Sequence, residues 1–166
     1  GITVDKKTGI TKLNQITKAK IIDLPGTYSL NANSIDENVV IELLLNKNDE
    51  DFPDVAVVVT EVENLKRNLL LFTQIKDLEI PTLLVINMSD RMKQKGIELD
   101  IPLLETELKT KIALISSRKN IGIDKVKELI LNYKSLSTEA CLNASSIDQE
   151  YFNRLRKAFP NQLLYK

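Results

Sequence analysis

The stretch "PTLLVINMSD", residues 81–90, decides the fold. A proline opens an unbroken β-branched and aliphatic run, the pattern of a strand covered on both faces, since a half-exposed strand would alternate with polar residues. The run ends in Asn87, and Asp90 follows three residues later. Strands covered on both faces belong to parallel sheets with helices on either side, and such sheets bind ligands beyond the carboxyl ends of their strands. The stretch therefore predicts both an architecture and the end of the sheet at which to look for chemistry.

Working outward, "DVAVVVTE" (residues 54–61) is a second continuous run and reads as another strand covered on both faces. Leu65, Leu69, Phe72 and Ile75 after it keep helical spacing. Beyond Asp90 a short helix closes near Gly96, Asp100 can cap "IPLLETELK", "KIALIS" is a further strand and "IDKVKELILNY" a further helix. This βαβαβα order implies right-handed crossovers and an α/β fold, with a mostly parallel sheet and helices on both faces. Upstream, residues 2–13 and the segment from "NQITKAK" to Asp23 read as an antiparallel hairpin, and Ser34 with Glu37 forms a capping box ahead of "NVVIELLL". "KSLSTEACLNASS" is polar enough for a linker. Ser146 and Gln149 can then box the start of a helix with Ile147, Tyr151, Leu155 and Phe159 on one face. The predicted organisation is one domain over 1–134, a linker over 135–145, and the start of a helical unit over 146–166.

Composition narrows the chemistry. Among 166 residues, 23 lysines and arginines balance 23 aspartates and glutamates, so nothing favours nucleic acid, whose binding depends on cationic contacts to phosphates. Cys141 is the single cysteine and histidine is absent, which removes disulfide frameworks, Cys/His zinc sites and histidine-based catalysis. The longest apolar runs fall short of a membrane span.

Three strand ends carry the candidate site. Asp23 to Gly26 is D-x-x-G, Asn87 to Asp90 is N-x-x-D, and Ser116-Ser117-Arg118 follows the last strand. Asp23 can hold a magnesium ion through water, and the Gly26 N–H, unobstructed by a Cβ, can reach the terminal phosphate of a nucleotide; as an alternative, the four residues are only a turn. Asp90 can accept hydrogen bonds from N1–H and the exocyclic amine of guanine, where adenine has no matching donors. At roughly 1.5–3 kcal/mol per bond to a charged group, two such bonds separate the bases by about two to four orders of magnitude. Asn87 would bond the purine edge and tie neighbouring loops, and a backbone N–H of Ser116 to Arg118 would meet the guanine carbonyl. The structural alternatives are a helix cap at Asp90 and a polar strand exit at Ser116 and Ser117. Two further matches, "NKND" at Asn46 to Asp49 and the N-x-x-D at Asn33 to Asp36, follow no strand and are expected to be coincidental.

With these motifs in place, the chain resembles the Ras-like GTPases, and more closely the cytoplasmic G domain of the bacterial ferrous iron transport protein B family. "GITVDKKTG" looks like that family's first switch segment, "DLPGTYSL" like its third box and second switch, "VENLKRNLLLFTQIKDLEIP" like the following helix, and "NMSD" like its guanine motif with methionine in place of lysine. The resemblance runs from Gly1 to about Tyr133, and the tail looks like the start of that family's helical, GDI-like domain.

The resemblance implies GTP and GDP as ligands with Mg2+, Thr3 and Asp23 at the metal, and Gly26, Asn87, Met88, Asp90, Ser116, Ser117 and Arg118 on the nucleotide. It also implies a membrane-embedded transporter portion of the same parent chain as partner, at the cytoplasmic face of the bacterial inner membrane. Thr3 read alone is equally a β-branched strand residue, and Met88 either covers the base or fills core. Thr27 stands where many GTPases carry the glutamine that orients the attacking water, so hydrolysis is expected to be slow, and no catalytic base is identified. No G-x-x-x-x-G-K-[ST] occurs in the 166 residues. The expectation is an internal fragment of a GTPase that binds nucleotide poorly by itself, because that loop supplies the phosphate-binding N–H groups and lysine. The alternatives are a nucleotide-independent interaction module with a degenerate G domain, or a GTPase of another family.

Overall fold

The computed structural model describes residues 6–31 and 33–141. An antiparallel hairpin, β1 (Lys7–Lys12) and β2 (Lys18–Asp23), comes first. Its turn is held by Asn14, whose Oδ1 accepts from the Ile16 and Thr17 N–H groups at 3.0 and 2.6 Å. There follow α1 (Ile35–Leu45), β3 (Ala56–Glu61), α2 (Leu65–Lys76), β4 (Thr82–Asn87), α3 (Met92–Lys95), α4 (Ile101–Glu107), β5 (Ile112–Leu114) and α5 (Ile123–Leu131). Strands β3, β4 and β5 form a parallel sheet in that order, with Val59 opposite Val85 and Val85 opposite Ala113. This is the α/β alternation read from the sequence. The hairpin stands as its own two-stranded sheet, tied to the domain partly by Lys20 Nζ on Asp51 Oδ1 at 2.5 Å.

The central strand β4 divides the core. Leu84 and Ile86 pack on one side with Val40 and Leu44 of α1 and Leu65, Phe72 and Ile75 of α2. Leu83 and Val85 pack on the other with Ala113, Ile115, Leu129 and Leu136. Both faces of "PTLLVIN" are covered, as its unbroken run predicts.

Strand β3 departs from that reading. Val58 and Thr60 are buried, but Val57 and Val59 on the opposite face are 36% and 61% exposed. The reason is position: β3 is the edge strand away from α5, which builds the second core by packing on β4 and β5.

The caps follow the sequence with one shift. Ser34 Oγ accepts from the Glu37 N–H at 3.1 Å, while the Glu37 carboxylate reaches past Ser34 to the Asn33 N–H and the Ser29 hydroxyl at 2.8 and 3.3 Å. Asp100 caps α4 through the Leu103 N–H, and Gly96, at φ 62°, closes α3 in the left-handed conformation. Gly122, at φ 81°, admits no side chain, since a Cβ would lie 2.7 Å from the Leu114 carbonyl oxygen. That glycine lets the chain turn from the end of β5 into α5. The stretch read as a linker is packed at its start: Leu136 is buried in the second core. Thr3 and the helix expected after residue 146 lie outside the described residues.

Candidate nucleotide site

The ends of β4 and β5 meet through side chains. Asn87, the last residue of β4, uses both halves of its amide on one partner: Nδ2 donates to Ser117 Oγ and Oδ1 accepts from the Ser117 N–H, each at 3.0 Å. Asn87 thus fixes the two strand ends relative to each other, the loop-tying role its position suggested.

After Asn87 the backbone reverses. Met88 takes the left-handed conformation (φ 63°, ψ 33°), which a residue with a Cβ adopts only when its surroundings hold it there. The Ser89 N–H donates to the Ile115 carbonyl at 2.9 Å, and a 3-10 turn over Ser89–Arg91 brings Asp90 against the last strand. Asp90 Oδ1 accepts from the buried Ser116 hydroxyl at 2.7 Å. That bond, helped by Asp90's own N–H and by the nearby positive charges of Lys119 and Arg118, holds the Asp90 carboxyl below the usual carboxylate range against the opposing effect of desolvation. Asp90 is therefore an anion at neutral pH, with lone pairs left for further donors.

A cavity of about 80 Å3 lies between these loops, lined by Asn87, Met88, Asp90, Arg91, Ser116, Ser117 and Arg118. Every residue expected on the base is in this lining, drawn from segments almost thirty positions apart. Arg91 is the addition; its guanidinium lies 3.8 Å from Glu63, and no motif signalled it beyond its place after Asp90. Nor does any local pattern announce the Ser116–Asp90 bond, which depends on the register of β4 against β5. The cavity is well below the roughly 300 Å3 of sites that enclose a ligand, and suits the edge of a flat ring.

Among the backbone donors of the last loop, the Ser116 N–H goes to the Ile121 carbonyl at 3.0 Å and the Ser117 N–H to Asn87. The Arg118 N–H has no partner among the described residues.

Asp23 and Gly26 do not line this cavity. Asp23 ends β2 with an exposed side chain that makes no hydrogen bond or ion pair among the described residues, and a Cβ on Gly26 would meet nothing within 4 Å. Packing therefore does not demand glycine there. No cluster of three or more metal-binding side chains exists among the described residues. One exposed carboxylate nonetheless fits magnesium, which retains most of its waters and takes its other ligands from phosphates.

The "NKND" match is a turn. Asn46 Oδ1 accepts from the Asn48 N–H and Asp49 Oδ1 from the Asp51 N–H, so the motif's side chains serve their own backbone. A larger cavity of about 370 Å3, lined by Lys6, Val39, Glu42, Leu43, Asn46 and Asp49, lies beside it. It contains no strand end of the parallel sheet, and its volume alone assigns it no chemistry.

The parallel sheet, the preceding hairpin and the motifs at the strand ends together define a Ras-like G domain. Residues 1–130 match the family described as ferrous iron transport protein B, and the chain belongs to that family. Similar proteins include an Fe(2+) transporter FeoB of Leptospira biflexa, 36% identical over 135 residues, which are 81% of this chain and 19% of the relative. The chain thus spans about a fifth of the length of the curated relatives it matches. Among solved structures, the FeoB G-domain from Methanococcus jannaschii is 36% identical with a TM-score of 0.71, over 78% of this chain and 80% of that one. The cytosolic domain of L. pneumophila FeoB is 31% identical with a TM-score of 0.83, over 99% and 63%. That of the T. maritima FeoB iron transporter in a GMPPNP form is 28% identical with a TM-score of 0.82, over 99% and 64%.

Proposed function

We propose that this chain is the guanine-nucleotide switch domain of a ferrous iron transporter, and that the cavity between the ends of β4 and β5 receives the guanine. The carrying observation is the convergence of Asn87, Asp90 and Ser116 to Arg118 on one cavity, with the Asp90 carboxylate ionised and only partly occupied. The guanine N1–H and amine would donate to Asp90, the free Arg118 N–H would donate to the guanine carbonyl oxygen, and the Met88 thioether would lie against the ring. Solved relatives in GDP and GMPPNP forms support the reading.

At the other end of the nucleotide, Asp23 would hold Mg2+ through water and the Gly26 N–H would meet the γ-phosphate, with Thr3 joining the metal in the GTP state. Magnesium would neutralise phosphate charge when bound. In the whole protein, exchange and slow hydrolysis of GTP would signal to the membrane-embedded portion from the cytoplasmic face of the inner membrane. Among the described residues no helix is long and apolar enough to cross a membrane. Residues 1–134 would form the switch domain, 135–145 its exit and 146–166 the start of the helical unit.

The 166 residues contain no G-x-x-x-x-G-K-[ST], so base contacts alone should hold nucleotide at about millimolar affinity or weaker. The test is a nitrogen-15 NMR titration of the chain with millimolar GDP and, separately, ADP. GDP should shift the amides of residues 87–91 and 116–119 while ADP leaves them in place. Equal shifts with both nucleotides, or GDP shifts confined to the Asn46–Asp49 turn, would refute the site. Saturable micromolar binding would refute the expected weakness.

A further inference from the structure

Helix α2 grips two separate segments. On one side it holds the loop that follows Asp23. The Arg67 guanidinium lies 3.9 Å from the centre of the Tyr28 ring, Gln74 Oε1 accepts from the Leu30 N–H at 2.8 Å, and Gln74 Nε2 donates to Asn31 Oδ1 at 3.4 Å. Positions 67 and 74, two turns apart, share a helix face.

At its carboxyl end α2 holds the chain leaving the domain. Lys76 is fully buried and its ammonium donates to the Ser137 carbonyl at 2.8 Å. The strap continues with Glu139 paired to Lys109 at 3.3 Å and the Cys141 thiol donating to the Leu108 carbonyl at 3.2 Å. Lysines are almost never fully buried unless paired, and among the described residues the hydrogen bond of this one goes to a neutral carbonyl. Burial pushes its ammonium below the usual lysine range. Nothing in the proposed nucleotide site uses Lys76.

We propose that Lys76 is a positioning residue that latches Ser135–Cys141 onto α2, and that α2 couples this strap to the loop of residues 24–31. The loop follows Asp23 and contains Gly26, the proposed phosphate sensor, and the strap follows α5, so the latch would carry the state of one to the other. Coupling of this kind is reciprocal: release of the strap must ease release of the loop by the same equilibrium factor by which release of the loop eases release of the strap. The inference does not require nucleotide and is testable without it.

Cys141, the single cysteine, is a built-in probe. Its labelling rate with a thiol reagent reports release of the strap, and hydrogen exchange at the Leu30 amide reports release of the loop. In Lys76→Met both rates should rise about fivefold or more, and in Gln74→Ala the Cys141 rate should rise by a similar factor. Exchange at the Leu84 and Ile86 amides serves as the control for global unfolding. Normal labelling in a folded Lys76→Met variant would overturn the latch, and faster labelling with unchanged Leu30 exchange would overturn the coupling. If Lys76→Met does not fold, Gln74→Ala decides, because it removes no core side chain; Cys141 labelling at the wild-type rate would then refute the proposal.

Discussion

Asp90 owes its character to a residue 26 positions away. The sequence offers a carboxylate after a strand, which could equally cap a helix; the Ser116 hydroxyl at 2.7 Å fixes it as an oriented anion. Because its pKa is depressed in the folded protein, Asp90 stabilises the fold fully above the ordinary unfolded value of about 3.9. That contribution is lost as pH falls from there through the lower folded value. Ser116→Ala should move the Asp90 midpoint, followed by carbon-13 NMR of its carboxyl, up towards the ordinary value and narrow this acid-sensitive window. An unmoved midpoint would mean that Lys119 and Arg118, not the hydroxyl, hold the charge. Asn87, Asp90 and the Ser116–Arg118 loop were legible as types at strand ends, because strand ends in a parallel sheet are where such groups converge. Their bonds were not, since Asn87 with Ser117 and Asp90 with Ser116 are made by register and a left-handed Met88, neither of which is written locally.

Strands β3 and β4 look alike as sequences and behave differently as elements. "VAVVV" and "LLVI" are both unbroken apolar runs, but the second core around α5 packs on β4 and β5, so only the second run is covered on both faces. Periodicity reports how apolar a strand is and leaves open whether a helix covers it. The contrast predicts that neighbouring valines differ in weight. Val58→Ala, at a buried position, should cost about 2 kcal/mol in urea unfolding, and Val59→Thr, on the open face, less than about 0.5 kcal/mol. Equal losses would mean that the Val57 and Val59 face is covered in solution. The helices were more legible than the edge strand, because Ser34, Asp100 and Gly96 mark their ends chemically. Glu37 shows the limit of that legibility: it serves the helix entrance, but one residue further upstream than the capping box predicts.

At the scale of the whole molecule, a hairpin ending in Asp23, the cavity between β4 and β5 proposed for the base, and a strap leaving past Lys76 are carried by one α/β framework. The order of elements was legible because alternating runs of period 2 and 3.6 admit few topologies. The docking of Ser135–Cys141 was not, since a polar composition reads as linker even where one buried leucine and one buried lysine hold it down. The central claim is that this framework presents Asp90 to guanine. It is tested most directly by Asp90→Asn, with wild type and variant each titrated by NMR with guanosine and xanthosine diphosphates. Xanthine carries a carbonyl where guanine carries its amine, so an amide at residue 90 can donate where the carboxylate could only accept. The account predicts that wild type prefers the guanine nucleotide and the variant the xanthine nucleotide, with shifts in both at residues 87–91 and 116–119. An unchanged preference in Asp90→Asn would contradict it.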